Sequence, residues 1–233
     1  MRCLVPVFML GLVALATSPE PNSAPQDSRP ATKPTKGVAK AAALNVVDRP
    51  IAAKCFGERK KGAVVDTIVL HFSSDVMANP ANPYDLERNV AIFEKAGVSA
   101  HYIVDRDGKV HRLVPEAGRA FHAGKGKLPT EPTHENTLND HSIGIEILAI
   151  GSQKDMAGYM SAEKYGALDR KHLGFTAAQY AALSLLIDDI RSRHPEIKRD
   201  RKRIVGHDEY APGRKTDPGE LFEWKQIGLT RER

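Results

Sequence analysis

Apolar and polar positions along this chain fall into short blocks of changing period. Val64 to Phe72 (VVDTIVLHF) is β-branched and largely apolar, which predicts a buried strand ending at His71. Leu86 to Lys95 (LERNVAIFEK), closed by Gly97, predicts a short helix with a glycine stop. Ala100 to Val104 and Lys109 to Val114 flank Asp105-Arg106-Asp107-Gly108 and predict a hairpin with an Asp-Gly turn. Ser142 to Ile150 (SIGIEILAI) predicts another strand, whose alternation separates Ile143, Ile145 and Ile147 from Gly144, Glu146 and Leu148. Thr176-Ala177-Ala178-Gln179 has the spacing of a capping box. The helix behind it carries Tyr180, Leu183, Ile187 and Ile190 as one stripe and ends near His194-Pro195. Ile204 to Gly206 is the last strand. Residues 151–174 are polar and irregular apart from a short helix near Ser161 to Leu168, and read as a surface loop or an insertion over a site. The alternation of strands and helices makes the class α/β: a single domain with a central mixed β-sheet flanked by helices and a site at strand ends.

The first residues change the picture of where the chain works. Met1-Arg2 precedes an apolar run from Cys3 to Ala16, too short to cross a bilayer core of about 30 Å and suited to the h-region of a signal peptide. Small residues follow at Ala16 to Ser18 and at Ser23-Ala24, so residues 1–24 are read as a signal peptide, with an uncleaved anchor as the alternative. Residues 19–45 are rich in Pro, Ala, Ser and Lys with almost no large apolar side chain, the composition of a disordered basic linker. The folded domain is then 46–233. Export predicts a periplasmic, cell-envelope or secreted protein with no integral membrane span after processing. Of two cysteines only Cys55 survives such processing, which excludes an intramolecular disulfide.

Charge narrows the partners. Residues 1–62 hold 10 Lys/Arg against 4 Asp/Glu, while 63–233 hold 24 against 25. The basic excess lies ahead of the folded domain, which is close to neutral and lacks the basic face of a nucleic-acid reader. Lys198 to Arg203 (KRDRKR) is a local basic patch, read as a solvated turn. Nucleic acid is therefore not an expected partner.

Candidate chemistry concentrates in Ile204 to Gly219 (IVGHDEYAPGRKTDPG). His207 and Asp217 stand at the two ends of a Gly/Pro-stiffened loop that follows a strand, and His71 ends another strand. A lone histidine at a strand end is usually structural. Two of them with an aspartate fit a three-ligand zinc site whose fourth position is open, where bound water ionises near pH 7. Glu146, on an otherwise apolar strand, is either a solvated outward residue or a buried group suited to proton transfer, and its apolar neighbours favour the second. Lys215 is either a surface cation or, two residues before Asp217, a charge held near the metal. His111, His134, His141, His172 and His194 sit in polar surroundings and are read as surface residues, and Phe222 with Trp224 as core packing.

TIVLHFS (67–73), GVSAHYIVDRDGKV (97–110), RAFHAGKG (119–126), NDHSIGIEILA (139–149), FTAAQYAAL (175–183) and IVGHDEYAPGRKTDPG (204–219) occur in one order. In that order they resemble the zinc-dependent N-acetylmuramoyl-L-alanine amidases, the family that also holds T7-type lysozymes and animal peptidoglycan-recognition proteins. The resemblance implies cleavage of the amide between the lactyl group of N-acetylmuramic acid and L-alanine in peptidoglycan or muropeptides, by a monomer with one Zn2+ per chain. It implies His71, His207 and Asp217 as zinc ligands, Glu146 as general base, Lys215 as oxyanion stabiliser, and His101, His122 and Asn139 near the substrate groove. The competing reading is a non-catalytic peptidoglycan-binding module, which complete ligands plus Glu146 and Lys215 disfavour. A zinc peptidase of another kind lacks its His-Glu-x-x-His helix here.

Overall fold

The computed structural model describes residues 44–230. The readings of 1–24 as a signal peptide and of nearly all of 19–45 as a linker lie outside the described residues. Eight strands are described: β1 Val46–Asp48, β2 Phe56–Glu58, β3 Thr67–Ser73, β4 Tyr102–Val104, β5 Val110–Arg112, β6 Gly118–Ala120, β7 Ser142–Leu148 and β8 Ile204–Gly206. The α-helices are α1 Leu86–Ala96, α2 Leu138–His141, α3 Gln153–Met156, α4 Ala162–Gly166, α5 Ala177–Arg193 and α6 His207–Tyr210.

Six strands form one mixed sheet in the order β1-β5-β4-β7-β3-β8, and β2 pairs with β6 in a small second sheet. The pairs β4–β7, β7–β3 and β3–β8 are parallel, whereas β4 and β5 form the expected antiparallel hairpin. Parallel neighbours need crossovers, and both faces of such a sheet must be covered. On one face Ile68, Leu70, Ile143, Ile145 and Ile147 pack against Leu183, Leu186, Ile187 and Ile190 of α5. Phe222 and Trp224 join this cluster, as their sequence setting predicts. On the other face Val90 and Phe93 of α1 pack against Ile103, Leu113 and Leu148. Truncating one of these buried aliphatics to alanine costs about 2–5 kcal/mol.

The helix ends follow their sequence signals. Asp85 caps α1 by accepting from the Arg88 N–H, and Gly97 closes it in the left-handed conformation at φ 68°. Thr176 and Gln179 make the reciprocal capping box at the start of α5. Gln179 also donates to the Leu148 carbonyl at 2.9 Å, which pins the helix to the end of β7. No helix among the described residues is long and apolar enough to cross a membrane. Cys55 is buried and free.

Several polar residues are more structural than their sequence setting suggests. None of the five histidines read as surface residues is exposed: His111 is buried, and the other four are half-buried. Each of three has a carboxylate that the sequence does not bring near it, namely Asp105 for His111, Asp66 for His134 and Glu116 for His194. The basic patch is likewise a staple. Arg199 pairs with Asp188, Arg201 lies over the Trp224 ring and pairs with Glu209, and Arg203 donates to the Glu131 carbonyl.

Arg59 does the most for the floor of the site. Its guanidinium donates to the carbonyls of Glu116 (3.1 Å), Asn139 (3.0 Å), Asp140 (2.9 Å) and Ser142 (2.9 Å), drawing the segment after β5, α2 and the start of β7 together. Burial pulls its pKa down to about 10, which still leaves it charged near neutral pH. Replacing it with methionine strands those carbonyls. Arg59→Met is expected to cost about 2–4 kcal/mol, read as a lower denaturation midpoint with an unchanged m-value; a midpoint equal to wild type would contradict the staple.

Candidate metal centre

The register of the sheet also builds the site. Leu70 pairs with Gly206 and His71 pairs with Glu146. Paired residues on parallel strands point the same way, so Glu146, His71 and His207 stand in one row at the C-terminal ends of β7, β3 and β8. They face away from α5, on the side where Val69 and Val205 pack. The loop after α6 then returns to this row, because the Asp208 N–H donates to the Asp217 carbonyl at 2.9 Å.

Three ligand atoms converge. Asp217 Oδ2 lies 2.7 Å from His71 Nδ1 and 3.0 Å from His207 Nδ1. Among the described residues these three side chains form the group able to hold a metal ion, with ligand atoms all within 4.8 Å of one another. His71 and His207 are each 2 % exposed and Asp217 9 %. Burial, reinforced by the neighbouring His207, pulls the His71 pKa down to about 4, so the ring is a neutral ligand at physiological pH. Burial opposes charge on Asp217, but the two imidazoles beside it outweigh that and hold its carboxyl well below the usual range.

The proton positions test whether the set suits a cation. His207 Nε2 lies 2.8 Å from the Ala123 carbonyl, which can only accept. A neutral His207 therefore carries its proton on Nε2 and turns the Nδ1 lone pair toward the Asp217 carboxylate. In that neutral form two buried acceptors lie 3.0 Å apart with no proton between them, a contact that either a second ring proton or a divalent cation resolves. The donor set fits.

Glu146 is the one residue of β7 that is not fully buried. Its Oε2 is shielded from solvent and has no hydrogen-bond partner among the described residues. Burial, and then the Asp217 charge, push its carboxyl up to about 8, against the pull of the Ser73 hydroxyl and of Lys215. The floor and rim of a cleft of about 470 Å³ contain His71, Glu146, His207, Asp217, Lys215 and His122, so the structure gathers six of the residues singled out in the sequence.

His101 and Asn139 stand behind the cleft rather than in its lining. His101 has no exposed surface. Its Nδ1 accepts from the Gly144 N–H at 3.0 Å, and its Nε2 lies between the Gly118 carbonyl at 3.2 Å and the Arg59 guanidinium at 3.0 Å. Burial, with Arg59 adding, lowers its pKa to about 3, so the ring stays neutral. Asn139 Oδ1 accepts from the N–H groups of His122 (3.2 Å) and Ala123 (2.8 Å) and thereby fixes that backbone.

Sequence reading missed the rest of the lining. Ile92, Phe93, Val98 and Phe121 give the cleft apolar surface, and Tyr159 contributes a ring that is 56 % exposed. The signal available for Ile92 and Val98 was an apolar residue on the outward side of α1 and another just past its glycine stop. Tyr159 belongs to the irregular 151–174 segment, which is fastened to the ligand loop through buried Asp155. That carboxylate accepts from the N–H groups of Ser152 (2.9 Å) and Glu220 (3.0 Å), while the Thr216 hydroxyl donates to the Asp155 carbonyl at 3.1 Å.

The sequence model of the family described as N-acetylmuramoyl-L-alanine amidase matches residues 61–220, more than half of the chain. The chain belongs to the N-acetylmuramoyl-L-alanine amidase family. It is 33 % identical over 129 residues to the 1,6-anhydro-N-acetylmuramyl-L-alanine amidase AmpD of Haemophilus influenzae, covering 55 % of this chain and 56 % of that protein. It is 34 % identical over 201 residues to the N-acetylmuramoyl-L-alanine amidase AmiD of Escherichia coli, covering 76 % and 63 %. The match thus spans less than two thirds of either relative. The solved complex of E. coli AmiD with anhydro-N-acetylmuramic acid-L-Ala-D-gamma-Glu-L-Lys superposes with a TM-score of 0.53 at 29 % identity, covering 75 % of this chain and 65 % of that one. The mixed sheet flanked by helices is the amidase fold.

Glu146 gives the metal-free amidase domain a pH signature. In the folded chain its carboxyl stays protonated up to about pH 8, against an ordinary value of 4.5 when unfolded. Its contribution to stability is therefore intact below pH 4.5 and is lost as pH climbs from there to 8. Glu146→Gln removes that loss. The metal-free variant is expected to melt several degrees above wild type at pH 8, with the gap closing toward pH 4.5 in thermal unfolding after chelation. A gap that does not change with pH would contradict a carboxyl whose pKa is raised by burial.

Proposed function

We propose that this chain is an exported, zinc-dependent N-acetylmuramoyl-L-alanine amidase. It hydrolyses the amide between the lactyl group of N-acetylmuramic acid and the L-alanine of the stem peptide, in peptidoglycan or in soluble muropeptides. The observation that carries the reading is the convergence of His71 Nδ1, His207 Nδ1 and Asp217 Oδ2 beside Glu146, whose shielded Oε2 has no partner among the described residues. Two imidazoles and one carboxylate are a donor set suited to zinc, one ion per chain. Membership of the amidase family and likeness to AmpD and AmiD support the substrate class. Zinc, when bound, supplies Lewis-acid polarisation of the carbonyl and makes nearby water more acidic.

The chain's own residues do the rest. Glu146, whose ionised form a cation held beside it would favour, accepts as a carboxylate the proton of the attacking water and hands it to the leaving amine of L-alanine. Lys215 lies on the cleft and presents an ammonium to the negative charge that develops on the carbonyl oxygen. His71, His207 and Asp217 hold the metal. The apolar surface of Ile92, Val98 and Phe121 and the Tyr159 ring take the body of the substrate. The signal peptide at 1–24 and the linker at 19–45 deliver the domain 46–233 outside the cytoplasm as a monomer.

The test is digestion of purified peptidoglycan and of an anhydro-muropeptide by the full chain, read by mass spectrometry with zinc and with chelator. Free stem peptide beginning at L-alanine is expected, lost on chelation. Glu146→Ala should lower kcat about 10²–10⁴-fold and Lys215→Ala about 10²–10³-fold, each with little change in KM. Tight binding without cleavage in the presence of zinc would overturn the proposal in favour of a recognition module.

A further inference from the structure

His122 lines the cleft, yet both of its ring nitrogens are engaged with the protein. Nδ1 lies 3.0 Å from His71 Nε2, and Nε2 lies 3.1 Å from the Ser142 hydroxyl. Which group donates is decided at the far end. Ser142 is fully buried, and its hydroxyl donates its one proton to the Leu138 carbonyl at 2.6 Å, where the partner can only accept. Ser142 Oγ is therefore an acceptor toward His122, and the His122 proton sits on Nε2. A neutral imidazole has one N–H, so His122 Nδ1 is bare and accepts from His71. His71 in turn carries its proton on Nε2 and turns the Nδ1 lone pair into the metal centre. The relay holds the proton against Asp217 Oδ2, which lies 2.7 Å from Nδ1 and draws it there where the relay is broken.

We propose that His122 is a positioning residue, which fixes His71 as an Nδ1 metal ligand through this one-way relay to Ser142 and Leu138. The inference rests on the reading of His71 as a zinc ligand and adds what selects the ligating nitrogen. Metal-ligating histidines are commonly oriented by the partner of their other ring nitrogen, but a second neutral imidazole serves only if its own proton is held elsewhere.

Three further observations show a seat built for this ring. A Cβ on Gly144 would lie 2.6 Å from His122 Cγ, so the imidazole packs directly on the bare backbone of β7 and only glycine leaves it room. Asn139 holds the backbone of His122 and Ala123 by two hydrogen bonds. Ala123 is the residue whose carbonyl takes the Nε2 proton of His207. One clamped dipeptide therefore sets the ligating nitrogen of both histidines, His71 by a side chain and His207 by a carbonyl.

The experiment reads His71 without turnover. Two-bond 1H–15N correlation spectra of the metal-free, 15N-labelled full chain report which ring nitrogen carries each proton, and competition with a chromophoric chelator gives the zinc affinity. Wild type is expected to show His71 as the Nε2–H form. His122→Leu should give a mixture of tautomers and weaken zinc binding about 10- to 100-fold. His122→Asn, whose Oδ1 can take the place of Nδ1, should recover part of the loss. Ser142→Ala leaves the His122 ring in place but frees its proton, so it should also mix the His71 tautomers, and it keeps the test open if His122→Leu does not fold. His71 tautomer and zinc affinity unchanged in His122→Leu or Ser142→Ala, with only KM for muropeptide rising, would overturn the proposal and leave His122 a groove residue. A wild-type chain with His71 in the Nε2–H form that binds no zinc supports the relay and overturns the zinc reading alone.

Discussion

The pairing of β3 with β7 and β8 is the constraint on which the rest of the molecule depends. Side chains on a strand alternate between faces, so a slip of one residue in either pairing would send a whole row to the wrong side. With Leu70 opposite Gly206 and His71 opposite Glu146, one face is aliphatic and buried under α5. The other face ends in a base and two imidazoles. The same alternation that drives the core together therefore assembles the site. Asp217 is then returned to this row by a short loop rather than by the sheet, and the Asp208–Asp217 backbone bond closes that loop.

Burial then sets the chemistry of each group. Neutral imidazoles, a carboxylate kept ionised by its neighbours and a carboxyl pushed toward neutrality sit within one small cleft. The groups differ because their partners differ. Asp217 has two rings beside it, whereas Glu146 has burial, the Asp217 charge and an oxygen without a partner. Separating two carboxylates in this way gives one a binding task and the other a proton-transfer task. Carbonyls and a hydroxyl behind the cleft hold the imidazole protons, and Arg59 ties together the backbone around them through other carbonyls.

Much of this was legible in the chain. TIVLHFS and SIGIEIL read as strands because their β-branched residues must be buried, and the Thr176–Gln179 box and Gly97 mark helix ends by local chemistry alone. His71, Glu146, His207, Lys215 and Asp217 could be picked out because each breaks an apolar or Gly/Pro pattern at a strand end, and the structure brings them to one cleft. Three residues have no period to read, so β4 and β5 were legible only through the Asp-Gly turn between them and β8 through its apolar run into the site loop. Strands β1, β2 and β6 had no such neighbour. His111, His134 and His194 looked solvated because their carboxylate partners come from other parts of the chain or across a turn. His101 and Asn139 were expected at the groove, and the structure places them behind its lining. There Asn139 and one His101 nitrogen bond backbone N–H groups and Arg59 approaches the other His101 nitrogen, contacts that side-chain type does not reveal. Tyr159 lay hidden in an irregular segment whose position depends on the burial of Asp155.

The central claim is that three side chains converge on one metal through chosen atoms, and diffraction at the zinc absorption edge addresses it most directly. Crystals of the zinc-loaded chain should show one anomalous peak per molecule, bonded to His71 Nδ1, His207 Nδ1 and an Asp217 carboxylate oxygen at about 2.0–2.2 Å. No peak between these residues, or a peak bonded through Nε2 of either histidine, would contradict the account.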